Sequence, residues 1–134
     1  METKPMRETV VEKLWGTETV IHNDEKYCMK ILDLNYNWQS SLHMHRKKEE
    51  TFLVVSGIVE LEVEGKGKFV LKPSMYYTIL PGTYHRFRAL TNVASIVEAS
   101  TQHFEDDVMR KEPSRQIEAM AGIDHKIWKP PTRH

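Results

Sequence analysis

Ser41-Leu42-His43-Met44-His45-Arg46-Lys47-Lys48-Glu49-Glu50-Thr51-Phe52-Leu53-Val54-Val55-Ser56-Gly57 is the stretch whose reading decides the fold. Side chains alternate faces along a strand, so His43 and His45 project to the same side. After the charged run Arg46 to Glu49, Glu50 opens the next strand and shares its face with Phe52 and Val54. A carboxylate at the mouth of an apolar interior then faces two imidazoles. Ser56-Gly57 ends the strand as a turn, since glycine supplies the positive φ that tight hairpins need. Further on, Pro81-Gly82-Thr83-Tyr84-His85 turns into a strand in which Phe87 and Ala89 lie on the His85 face. Taken singly, these residues read as exposed histidines and a solvated glutamate. Together, His43, His45, Glu50 and His85 form an open site for one divalent ion, with imidazole donors that suit several transition metals.

Outward from this stretch, apolar residues come in short runs separated by turn residues, the pattern of an all-β sandwich or barrel. The runs predict strands at 18–21, 27–34, 40–45, 50–56, 58–63, 68–71, 76–80, 84–89 and 95–100. The tail reads differently. Ser114 follows Pro113 and precedes helix formers up to Met120 and Gly122, which predicts a short C-terminal helix. Beyond it, Ile127-Trp128 is an apolar pair in polar surroundings, expected to pack on the barrel or on a second subunit.

With 134 residues, the chain has the length of one domain, 1–134, with a barrel core at 27–101 and an extension at 102–134. It is 40% hydrophobic and 28% charged, and its 19 basic residues balance 19 acidic ones. That balance provides no field for nucleic acid or an anionic membrane. The longest clean apolar run, Phe52-Leu53-Val54-Val55, is too short to span a bilayer. Cys28 is the only cysteine, so no disulfide forms within the chain, and the amino-terminal region lacks the apolar stretch of a signal peptide. A cytoplasmic location is the expectation. Leu14-Trp15 and Ile127-Trp128 place large apolar groups at both ends of the chain, which predicts a homodimer.

His43-Met44-His45, four residues, Glu50, six residues and Gly57 resemble the first motif of the cupins, and Pro81-Gly82-Thr83-Tyr84-His85 resembles the second. Leu80 stands where a proline is common, and Ala89 where many members carry asparagine. Neither is a ligand position. The resemblance implies a jelly-roll barrel of two antiparallel sheets, with His43, His45, Glu50 and His85 as ligands. The metal is left open among zinc, manganese, iron and nickel.

The cupin resemblance covers about 14–110, and a finer one is to cupins of the mannose-6-phosphate isomerase type. It rests on Lys13-Leu14-Trp15-Gly16, Tyr27-Cys28-Met29-Lys30, Ser41-Leu42-His43-Met44-His45 and Val54-Val55-Ser56-Gly57. Arg86-Phe87 after the second motif, Glu98-Ala99-Ser100-Thr101 and Asp106-Asp107-Val108-Met109-Arg110 extend it. It implies aldose–ketose isomerisation of a sugar or sugar phosphate. Glu98, on one strand face with Ile96 and Ala94, is the candidate base, and Arg86, Arg88 and Lys30 are candidates for a phosphate. Two features depart from that type. His43 replaces its usual glutamine, and Lys111-Glu112-Pro113-Ser114-Arg115 replaces its acidic Tyr-Gly-Arg ending. An iron-dependent dioxygenase and a non-catalytic sugar-binding cupin are the alternatives, because one fold hosts many activities.

Overall fold

The structure, a computed structural model, describes residues 5–6 and 9–117. The described residues form thirteen strands, of which the first seven are β1 (Thr9–Lys13), β2 (Gly16–Asn23), β3 (Cys28–Asn35), β4 (Trp38–Gln39), β5 (Leu42–His45), β6 (Glu50–Ser56) and β7 (Val59–Val63). β8 (Gly67–Leu71), β9 (Tyr76–Ile79), β10 (His85–Ala89), β11 (Val93–Ser100), β12 (Val108–Glu112) and β13 (Arg115–Gln116) complete the set. One 3₁₀ turn, Glu105–Asp107, precedes β12. Among the described residues, no helix is long and apolar enough to cross a membrane.

The strands form two antiparallel sheets, the jelly-roll arrangement expected from the sequence. One has the order β1-β2-β3-β11-β6-β9. In the other, β10 pairs with β7, which pairs with β8, and also with β4 and β5. β4 and β5 pair in turn with β13 and β12. Ser40 keeps the ladder whole between β4 and β5: its N–H donates to the Phe87 carbonyl, and its hydroxyl accepts from the Phe87 N–H, both at 3.0 Å. β1, β2, β12 and β13 lie outside 27–101 and are integral to the sheets.

Alternation fills the space between the sheets. Leu32, Leu34, Phe52, Val54, Ala94 and Ile96 from one sheet meet Val59, Leu61, Val63, Phe87 and Ala89 from the other. Leu32, Phe52 and Phe87 of this core also border the inward charges described below.

The tail differs from its prediction. Arg115 and Gln116 are extended and pair with Gln39 and Trp38, and the Ile117 N–H donates to the Asn37 carbonyl at 2.6 Å. A free sheet edge took up backbone groups that the local helix signals had assigned to each other. The rest of that predicted helix, and Ile127-Trp128, lie outside the described residues. Trp15 packs edge-on against Phe87, with ring centroids 5.2 Å apart, while Leu14 is exposed.

Candidate metal centre

His43 and His45 sit two apart on β5, and His85 opens β10 directly opposite His43. Glu50 opens β6 in the facing sheet. Three histidine nitrogens, one each from His43, His45 and His85, lie within 4.8 Å of one another. Glu50 Oε2 is 3.4 Å from His45 Nε2 and 3.3 Å from His85 Nε2. The four predicted ligands are therefore gathered at one point inside the barrel.

Second partners orient the rings. His43 Nδ1 faces the Ser41 carbonyl at 2.8 Å, and His85 Nδ1 faces the Thr83 carbonyl at 2.9 Å. A carbonyl can only accept, so each Nδ1 carries the proton and each Nε2 keeps its lone pair, the tautomer of a metal ligand. Burial pushes the His43 imidazole down to about 4 and that of His45 to about 3, so both are neutral near pH 7. Burial alone would raise the Glu50 carboxyl, but His85, the Lys48 charge and His45 outweigh it and hold it below the usual carboxylate range. Glu50 Oε2 and His85 Nε2 are buried without a hydrogen-bond partner. Buried polar atoms rarely remain unpaired, and a cation between them would satisfy both. The donor set of three imidazoles and one carboxylate fits a divalent transition metal.

Beside this point opens a cavity of about 100 Å³. Trp15, Leu32, Phe52 and Phe87 form its apolar side. Its charged side runs from β2 to the loop before β6. Glu18 on β2 pairs with Lys30 on β3, and Lys30 stands directly across from Glu98 on β11. Lys48 Nζ lies 3.1 Å from Glu98 Oε2 and 3.6 Å from Glu50 Oε1. Carboxylates and ammoniums thus alternate from the mouth to the ligand cluster. Burial, with the Glu50 charge second, raises the Glu98 carboxyl above its ordinary range against the pull of Lys48 and Lys30. Burial works against the Lys48 ammonium, yet Glu98 and Glu50 together raise its pKa and keep it charged.

Of the residues singled out in the sequence, Glu98 and Lys30 line this cavity, Lys30 already tied to Glu18. Arg86 and Arg88 do not. His85 and Phe87 point inward, so alternation sends both arginines outward. There Arg86 pairs with Glu62 at 3.2 Å and Arg88 with Glu60 at 3.0 Å. The phosphate role considered for Arg86 therefore has no support in its placement.

Three residues carry the site without having been singled out. Lys48 reads in sequence as one more charge in a charged loop, yet it is buried. His103 accepts from Lys48 Nζ through Nδ1 at 3.1 Å. Asp107 receives the N–H groups of Arg46, Lys47 and Lys48 at 3.1–3.2 Å, which fixes the loop between the two ligand strands. These contacts span 50 to 61 positions, and no local spacing encodes them.

The model of the family described as mannose-6-phosphate isomerase C-terminal matches residues 2–113. The chain is a cupin and belongs to that family. No curated protein sequence matches this cupin significantly. Among solved structures it is similar to KdgF from a Halomonas species, with 17% identity and a TM-score of 0.66 over 73% of this chain and 89% of that one. A Streptomyces PAC13 structure with uridine shares 15% identity and a TM-score of 0.70, over 87% of this chain and 95% of that one. Oxalate decarboxylase from Bacillus subtilis, at 15% identity and a TM-score of 0.67, matches 83% of the cupin, which spans 33% of that longer chain. Identities this low show a shared fold and nothing finer.

Proposed function

We propose that this cupin is a metal-dependent isomerase that interconverts an aldose and a ketose, as the free sugar or its phosphate. His43, His45, Glu50 and His85 hold one divalent ion in this reading. The observation that carries it is Glu98, a carboxylate outside the ligand set and buried in the same cavity, with Lys48 Nζ 3.1 Å away. When bound, the ion supplies Lewis-acid polarisation of the carbonyl and hydroxyl oxygens next to it. Isomerisation moves one proton between adjacent carbons, and Glu98 is the base that takes it from one and returns it to the other. Lys48 holds that carboxylate in position. Glu18 and Lys30 offer acceptors and donors to a polyhydroxylated molecule, and Trp15 and Phe87 present an apolar wall to its C–H faces. The substrate is thus a small carbohydrate, met in the cytoplasm by a one-domain homodimer.

One feature favours a second reading. His43 in place of the glutamine of the isomerase type makes a three-histidine, one-carboxylate set, which also serves an iron-dependent dioxygenase. A non-catalytic sugar-binding cupin would bind sugar without turnover. The test incubates protein, metal and a panel of aldoses and aldose phosphates in deuterated water under nitrogen, followed by NMR. The isomerase reading expects a ketose and deuterium on the carbon beside the carbonyl. No label and no ketose with any sugar, together with oxygen-dependent loss of another substrate in air, would overturn it in favour of the dioxygenase.

A further inference from the structure

His103 lines the same cavity as His43 and His45, but its ring is turned the opposite way from a ligand's. His43 and His85 give their Nδ1 hydrogens to carbonyls and keep the Nε2 lone pair for an ion. His103 instead sets Nδ1 3.1 Å from Lys48 Nζ. An ammonium has only hydrogens to give, so this nitrogen accepts and the imidazole hydrogen sits on Nε2. Nε2 lies 3.3 Å from Glu105 Oε1, on a side chain that is 96% exposed, whereas the His103 side chain is 12% exposed. A pair with so well hydrated a carboxylate contributes little, so an incoming oxygen can take its place on the Nε2 hydrogen. The residue is also fixed from behind. Asn23, which ends β2, accepts from the His103 N–H at 2.9 Å and donates its amide to the His103 carbonyl at 3.1 Å. The ring meets that of His45 edge-on, with centroids 5.8 Å apart.

We propose that His103 is a substrate-binding residue, which donates its Nε2 hydrogen to an oxygen of the molecule held in the cavity and thereby helps to select it. The assignment rests on the carbohydrate reading of the cavity, whose substrate has hydroxyl and carbonyl oxygens to accept such a bond. The ammoniums of Lys30 and Lys48 are already held by Glu18, Glu98 and Glu50. A neutral donor on a clamped ring adds a direction without adding charge. A sugar that places an oxygen against it gains a hydrogen bond, and an analogue without that oxygen does not. The other ring nitrogen has a different task, because Nδ1 supports Lys48 and, through it, Glu98. Substitution separates the two. The amide atoms of asparagine stand as far from Cβ as Nδ1 does, and those of glutamine as far as Nε2. Asparagine thus keeps a partner for Lys48, whereas glutamine keeps a donor for the substrate.

The test has two arms, both on the full chain supplied with zinc. Long-range proton–nitrogen correlation NMR of the isotope-labelled wild type reads the tautomer without any ligand. It is expected to place the His103 hydrogen on Nε2, and a hydrogen on Nδ1 would overturn the proposal. In the second arm, wild type, His103→Gln and His103→Asn are titrated by calorimetry with pentose and hexose aldoses and their terminal phosphates. His103→Asn should weaken binding of the preferred sugar about 10-fold or more, while His103→Gln stays within about 3-fold of wild type. For a sugar that is turned over, the Asn variant should raise KM and leave kcat nearly unchanged, as loss of uniform binding does. The reverse order, with kcat falling in His103→Gln, would mark His103 as a support for Lys48 alone and overturn the proposal. So would wild-type affinity in both variants, with the carbohydrate reading left standing. A wild type that binds none of these sugars would instead overturn the carbohydrate reading, and this assignment with it.

Discussion

Glu98→Gln keeps the size and burial of the side chain and removes its basicity. In the isomerase reading this variant retains metal while turnover falls by about 10²-fold or more, the usual size of a general-base contribution. Steady-state kinetics alongside metal content separates this from simple loss of the site. The histidines give a second expectation for the metal-free protein. His43 and His45 are held at about 4 and about 3 against an ordinary value of 6.5. As pH falls below 6.5 the unfolded chain takes up these protons first, so stability is complete above that pH and declines toward 4. A urea midpoint that stays flat from pH 7 to 4.5 would contradict the buried, neutral state of these rings. The four candidate ligands were legible because alternation puts them on inward faces and their spacing resembles the two cupin motifs. Lys48 was not legible, because its burial depends on Glu98 and Glu50 arriving from β11 and β6.

At the scale of elements, the turn after β6 is the sharpest test of the architecture. Gly57 has φ +70, and a Cβ there would lie 1.9 Å from the Val93 carbonyl oxygen and 2.7 Å from Ala94 Cα. Backbone must move, so Gly57→Ala should cost roughly 3 kcal/mol or more. Gly82 has a similar φ of +79 but nothing within 4 Å, and Gly82→Ala should cost only about 1–2 kcal/mol. Chemical denaturation of both variants reads the difference, and equal losses would argue against the close approach of β11 to this turn. Alternating inward residues made nine strands readable, with β6 matching its predicted span. β1 and β12 were missed because their residues are almost uniformly exposed or nearly so, which leaves no period to detect. The helix expected from Ser114 failed for a related reason. Capping residues describe what a segment does alone, while Trp38-Gln39 offered Arg115 and Gln116 an open edge.

For the whole molecule, the apolar core stabilises the barrel, while the buried charges beside it need partners. Glu50 and Lys48 are buried there, and Glu50 Oε2 and His85 Nε2 lack hydrogen-bond partners. A cation bound there only in the folded state stabilises by mass action, about 2.7 kcal/mol at 100 times its Kd, or on the order of 10 °C in Tm for a chain of this size. Removing it with a chelator should lower Tm by that amount and re-addition should restore it, as read by calorimetry. The central claim is that His43, His45, Glu50 and His85 form a metal centre, and the metal-to-protein ratio tests it most directly. Inductively coupled plasma mass spectrometry on the wild type and the His45→Ala, His85→Ala double variant, both dialysed after exposure to divalent zinc, manganese, iron or nickel, is predicted to give one ion per chain and none. A wild type that retains no ion, or a double variant that keeps a stoichiometric one, would contradict it.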